Sequence, residues 1–268
     1  IENEDAGDDD EPEQYWYYFQ ANGKAYKQGD STNVALKTIN GKKYAFDVTG
    51  AMVAEWSLDK EKASDNLATT NFADYEKDGK TAKYSQAWRY FNSVEDGSRV
   101  SKGWFKVVAA EMLNKDKYDD DEDAWYYADG SGKLYAGEFK TIKGKKYAFR
   151  NDGRMINGLK FIKEGTNDFE DVIADDDDNH SFDNEDDFLA QASTYFEGEG
   201  YKCYYFGGDE DGAMRTGKTS LTFDGENTNF YFEKSGSNKG AGLTGEKDDK
   251  YYLAGMLVKA GSDEKYQV

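Results

Sequence analysis

The sequence predicts an all-β chain, an elongated solenoid of stacked β-hairpins of about 20 residues each, with short, partly helical inserts. Three observations predict it. Residues 39–52, "INGKKYAFDVTGAM", return 103 positions later as residues 142–155, "IKGKKYAFRNDGRM", with nine of fourteen letters identical and no gap. Aromatic residues make up 16% of the chain, as 21 Tyr, 16 Phe and 5 Trp, and only one Pro is present. Aromatic stretches are followed at short range by "NG", "TG", "DG" or "SG". Such pairs supply the positive φ that tight hairpin turns require.

The repeated phrase belongs to a looser pattern of aromatic strand, glycine-containing turn and second strand. It matches "WYYFQANGKAYKQG" (16–29), "KYAFDVTGAMVAEW" (43–56) and "WRYFNSVEDGSRVSKGW" (88–104). It continues as "WYYADGSGKLYAGEF" (125–139) and "KYAFRNDGRMINGL" (146–159). Three weaker copies begin at Cys203, Phe230 and Lys250, which makes about eight units. In a strand, alternate side chains face opposite ways, so Trp16 and Tyr18 share one side and Tyr17 and Phe19 the other. An isolated hairpin is marginal in water, and stacking on a neighbour buries its aromatic face. Within the repeated phrase, Tyr44 and Phe46 are expected to be buried, Gly50 to make the turn and Met52 to fill behind it.

The chain divides on this reading into an acidic, disordered tail (1–14) and hairpin repeats (15–161), the latter with inserts at about 57–86 and 108–123. An acidic, partly helical insert (162–202) and degenerate hairpins (203–268) follow. Helical potential lies in 58–80 and 181–196, the second with Ser181 or Asp183 as N-cap and an acidic first turn. The formal charge of −20 is local. Residues 1–13, 116–123 and 164–187 hold 26 of the 54 acidic residues and one of the 34 basic ones, so the remainder has 28 acids against 33 bases. Such runs read as solvated segments, and no basic stripe suits a nucleic acid.

One Cys (Cys203) and one His (His180) exclude an internal disulfide, a Cys-based zinc site and His-dependent triads. The acids at 119–123 and 175–178 match no twelve-residue calcium loop, and "GKKYAF" lacks phosphate-loop spacing. No cofactor and no catalytic set is expected. No apolar run approaches the ~20 residues of a membrane span. The opening "IENEDAGDDDEPE" is read as the start of a piece excised from a longer protein, monomeric as an isolated fragment.

"AWYYADGSGKLYAGEF", "KKYAFDVTGAMVAEW" and "SKGWF" resemble the cell-wall-binding (choline-binding type) repeats of Gram-positive surface proteins, and are also similar to glucan-binding and clostridial-toxin repeats. The resemblance covers roughly 15–56, 87–161 and 203–261. It implies a secreted, non-enzymatic module at the cell surface that binds cell-wall polymer or glycan, with choline as one candidate ligand. In such repeats aromatic cages between consecutive hairpins combine a "WYY" Trp, a "GW" Trp and a Tyr of the next hairpin. The "WYY" position is Trp16, Trp88 and Trp125 here, but Lys43, Lys146, Cys203, Phe230 and Lys250 elsewhere. The "GW" position is Trp104 and, after Glu55, Trp56. The sets the resemblance implies are Trp104 with Trp125 and Tyr147, then Trp56 with Trp88 and Tyr126. The alternative function is a structural spacer or protein-interaction segment whose cages have been lost, as Lys43 and Lys146 suggest.

Overall fold

The computed structural model describes residues 14–59, 81–173, 184–196, 199–208, 210–223 and 225–259. They form two compact units, Ile1–Gly137 with Asn151–Arg154, and Glu138–Arg150 with Met155–Val268. Both consist mainly of antiparallel hairpin sheets.

In the first unit β1 (Ala35–Ile39) pairs with β2 (Lys42–Phe46), β3 (Glu55–Leu58) with β4 (Trp88–Phe91), and β5 (Gly103–Val108) with β6 (Asp123–Ala128). Two short helices, α1 (Ala82–Ser85) and α2 (Lys115–Asp119), start at side-chain caps. Thr81 accepts from the Tyr84 N–H and Asn114 from the Lys117 N–H.

The second unit opens with β7 (Glu138–Ile142) and β8 (Lys145–Phe149). Next come β9 (Leu159–Glu164), β10 (Phe169–Ile173) and β11 (Lys202–Tyr205), in the order β10-β9-β11. A five-stranded sheet follows, of β12 (Gly217–Phe223), β13 (Glu226–Phe232), β14 (Gly245–Lys247), β15 (Lys250–Leu253) and β16 (Met256–Leu257), ordered β12-β13-β16-β15-β14. Helix α3 (Glu185–Phe196) carries the acidic first turn that was expected. Ser181 and Asp183 lie outside the described residues, and Asn184 Oδ1 accepts the Asp187 N–H at 2.9 Å. Of the other expected helical stretch, 58–80, Leu58 ends strand β3 and residues 60–80 lie outside the described residues. The segment expected to be an acidic insert contributes β10 as well as α3.

The repeated phrase turns twice, and the tighter turn is not the expected one. Asn40-Gly41 joins β1 to β2 with φ of 50° and 83°, and Lys143-Gly144 joins β7 to β8 with 48° and 83°. Two successive positive φ values are those of the two-residue turn that matches strand twist. Gly50 turns the chain in a wider loop, closed by Asp47 N–H to Ala51 O (3.0 Å) and Val53 N–H to Ala45 O (2.9 Å). Asp47 Oδ1 accepts from the N–H groups of Thr49, Gly50 and Ala51, and Asp129 repeats this with Ser131 and Lys133. A short acid at the loop's first position thus replaces the missing ladder partners. Phe46 and Phe149 are buried at 2% and 0% exposure, as Phe at the strand end requires, whereas Tyr44 is only half-buried.

The loops also set the spacing of successive hairpins. The residue that returns from each loop covers the loop glycine of the next hairpin. In the first unit Ala25 covers Gly50, Met52 covers Gly97, Arg99 covers Gly132 and Leu134 covers Gly153. In the second, Met155 covers Gly212 and Met214 covers Gly240. Backbone bonds repeat with the same offset: Met52 N–H to Trp16 O, Arg99 N–H to Lys43 O and Met214 N–H to Lys146 O, at 2.7–2.8 Å.

Candidate functional site

Strands β5 and β6 place the tryptophans. Their register sets Trp104 opposite Tyr127, Phe105 opposite Tyr126 and Lys106 opposite Trp125. Strand alternation therefore puts Trp104, Lys106, Trp125 and Tyr127 on one face, and Phe105 and Tyr126 on the other.

The second face is core. Trp56 packs edge-on against Trp88 (6.1 Å between centroids), Tyr90 (5.1 Å) and Tyr126 (5.1 Å), and Phe105 lies between Tyr90 (4.8 Å) and Tyr126 (5.6 Å) in stacks. Trp56 Nε1 donates to Val108 O at 2.8 Å. The structure thus brings Trp56, Trp88 and Tyr126 together and buries two of them, Trp88 at 5% exposure and Tyr126 at 0%, with Trp56 half-buried against them. Burial pushes the Tyr126 phenol well above its usual range, and Asp152 adds to this. Tyr84, against Trp88, is raised to about 12, chiefly by burial.

The first face is only partly covered. Trp104 meets Trp125 edge to face at 6.3 Å and Tyr127 at 5.1 Å, and Tyr127 stacks on Tyr135 at 5.2 Å with rings nearly parallel. Trp104, Trp125 and Tyr135 are half-buried and Tyr127 is buried beneath them. Such rings offer apolar faces to sugar C–H groups and π-density to cations. Tyr147, grouped with Trp104 and Trp125 in the sequence reading, stands on β8 in the second unit and is buried. Tyr127 and Tyr135 lie outside the cage sets that the resemblance implies. Alternation from Tyr126 gives the side on which Tyr127 lies, but no residue pattern announces the stacking of Tyr135.

Elsewhere the chain's own lysines sit on aromatic rings. Lys37 Nζ lies 5.1 Å from the Tyr18 centroid and 4.9 Å from that of Tyr26. Lys146 Nζ lies 4.5 Å from Phe139, and Lys247 Nζ 4.9 Å from Tyr231. Burial holds the Lys146 ammonium below its ordinary pKa. Of the acidic runs, 175–178 and His180 lie outside the described residues. Asp119 and Asp120 pair with Lys115 and Lys117 at 2.7 and 3.1 Å. Cys203 is buried, which pushes its thiol pKa well up and leaves little thiolate to react. Among the described residues no helix is long and apolar enough to cross a membrane.

No family model matches the sequence. Glucosyltransferase-S of Streptococcus mutans is 28% identical over 179 residues, which are 53% of this chain and 11% of that protein. The crystal structure of choline binding protein F from Streptococcus pneumoniae aligns with a TM-score of 0.49 at 18% identity, covering 93% of this chain and 56% of that one. The same protein in the presence of a peptidoglycan analogue, a tetrasaccharide-pentapeptide, aligns at 0.48 with 20% identity, over 94% of this chain and 68% of that one. The chain therefore spans about a tenth of the glucosyltransferase and a little over half of the choline binding protein in the first of these structures. By its repeats and its sequence match to that glucosyltransferase, the chain is similar to the choline-binding and glucan-binding repeat family.

Proposed function

We propose that this chain is a non-catalytic anchoring or adhesion module of a Gram-positive cell surface, and that it binds cell-wall polymer or glycan through aromatic hairpins. The observation that supports it best is the partly covered face of β5–β6, with Trp104, Trp125 and Tyr135 arranged over Tyr127. Each ring contributes roughly 0.5–2 kcal/mol toward a cation. Two or three rings therefore give about millimolar affinity, and useful retention comes from several weak sites on one polymer. Trp56, Trp88 and Tyr126 serve instead as the packing that holds this face in place. The glycine-covering contacts repeated within each unit support hairpins stacked as a solenoid, which small-angle scattering tests.

The experiment is retention on purified cell walls and on a peptidoglycan tetrasaccharide-pentapeptide, with and without choline as competitor. Retention that falls with Trp104→Ala or Trp125→Ala supports the proposal. Absence of retention on any wall or glycan overturns it. The second reading, a spacer that keeps the hairpins without ligand cages, is favoured by Lys37 and Lys146, whose ammonium groups already lie on the rings of Tyr18, Tyr26 and Phe139.

A further inference from the structure

Six loop glycines are covered by the hairpin before them, five of them by apolar side chains: Ala25, Met52, Leu134, Met155 and Met214. The exception is Arg99, whose Nε and Cδ lie 2.6 and 2.7 Å from where a Cβ on Gly132 would stand. Methionine or leucine would fill this slot without desolvating a charge, so packing alone gives no reason for arginine.

Arg99 also lines a cavity of ≈ 200 Å³ in the first unit, together with Arg89, Asp59, Ser57 and Ser131, and with Leu36 and Leu58 as apolar wall. Arg89 faces outward from the β3–β4 ladder opposite Ser57. Its Nη1 donates to the carbonyls of Gln86 and Trp88, both at 2.8 Å, which fixes the guanidinium. Arg99 Nε reaches Ser101 Oγ at 3.3 Å. Both arginines are half-buried, and neither makes an ion pair among the described residues. Burial lowers the pKa of both; at Arg89 the attraction of Asp59 exceeds the repulsion from Arg99. Asp59 and Asp129 offset this charge from a distance, and their own hydrogen bonds go elsewhere. Asp59 accepts from Asn33 Nδ2 at 2.9 Å, and Asp129 Oδ1 is taken up by Ser131 and Lys133 of its own loop.

We propose that this cleft binds an oxyanion, a carboxylate or a phosphate, carried on a sugar ring. Two guanidiniums in a partly desolvated cleft, that of Arg89 fixed by two carbonyls, supply charge-assisted hydrogen bonds of the kind that oxyanions accept, and arginine suits their planar geometry. Ser57 offers a hydroxyl to a sugar, Ser131 Oγ, which donates to Asp129, can accept from one, and Leu36 and Leu58 give a surface for its C–H groups. The subsite is separate from the aromatic face and goes beyond it, adding a preference for acidic over neutral glycans.

The test is calorimetric titration of the whole chain with glucuronate, glucose 6-phosphate and, as neutral control, glucose. At least one acidic sugar should bind about tenfold or more tightly than glucose, the difference that one charge-assisted hydrogen bond supplies. Which of the two it is tells carboxylate from phosphate. Arg99→Met restores the side chain used in other hairpins, so it should keep the melting temperature and lose about tenfold in acidic-sugar affinity. Trp104→Ala should leave that affinity unchanged. Equal binding of acidic and neutral sugars, no binding of either acid up to its solubility, or wild-type affinity in Arg99→Met overturns the proposal. So does an equal loss in Trp104→Ala, which would place the binding on the aromatic face.

Discussion

Met155 lies over the α-carbon of Gly212 so closely that a β-carbon there would overlap its sulfur and terminal methyl. Met52 stands in the same relation to Gly97, and Met214 to Gly240. The glycine answers two demands at once, since φ is +60° at both Gly97 and Gly212, where L side chains are strained. Gly97→Ala or Gly212→Ala should therefore destabilise by about 2–4 kcal/mol, combining overpacking with left-handed strain. Gly41→Ala should cost only about 1–2 kcal/mol, because φ is +83° but nothing lies within 4 Å. Urea denaturation measures both. Adding Met155→Ala to Gly212→Ala should recover part of the loss, and strictly additive losses would show that the two residues are not coupled.

Phe46→Ala and Phe149→Ala should each destabilise by about 3–5 kcal/mol, the usual loss for a fully buried ring. Tyr44→Ala should cost clearly less, because the ring is half-buried. Equal losses at Tyr44 and Phe46, which share one face of β2, would mean that this face is as well packed in mid-strand as at the strand's end.

These comparisons show where the sequence is legible. Periodic aromatics and turn glycines predict hairpins, and hairpins are what the described residues form, because both signals are local and act through backbone φ and strand alternation. The tighter turn of the repeated phrase was missed at Lys143-Gly144, where lysine takes a φ of 48° that it does not advertise. The pairing of Met52 with Gly97 crosses 45 positions, and nothing in either residue's own neighbourhood signals it. Trp56, Trp88 and Tyr126 do meet, yet their burial depends on Phe105 and Tyr90 filling the space between the strands. Residue type marks an aromatic cluster, and only packing decides whether it is open.

The two aromatic groups should separate experimentally. Trp56→Ala removes a partly buried, hydrogen-bonded ring that packs on Trp88, Tyr90, Phe105 and Tyr126, and should destabilise by about 3 kcal/mol. Trp104→Ala removes a ring of similar exposure that meets Trp125 and Tyr127 on the partly covered face and should cost less, while wall retention falls. If Trp104→Ala unfolds the chain as readily as Trp56→Ala, the face of β5–β6 is structural.

Tyr84 and Tyr90 give a pH signature. Burial raises each from 10.0 to about 12, and for Tyr90 the charges of Glu55 and Asp123 add to it. Above pH 10 the unfolded phenols lose protons that the folded ones keep, so the folded state binds more protons and stability falls as pH rises. The contribution is complete below about pH 10 and is lost by about pH 12. Tyrosinate absorbance should show a late-ionising class, and salt should lower the Tyr90 value more than that of Tyr84. Ionisation of every tyrosine near pH 10 in the folded chain would contradict this.

Lys37 offers a direct test of whether the aromatic notches accept cations. Its ammonium lies about 5 Å from two tyrosine rings, a distance at which cation–π attraction is effective. Lys37→Ala should lose about 1–2 kcal/mol and leave the rings of Tyr18 and Tyr26 facing an empty position. Tetramethylammonium chloride should then raise the melting temperature of the variant more than sodium chloride at equal ionic strength, because a cation that binds only the folded state stabilises it. The wild-type chain should respond equally to both salts at this notch, its own lysine already being in place. A variant that cannot tell the two salts apart would mean that Lys37 rests on these rings through its aliphatic stem, and that its charge is incidental.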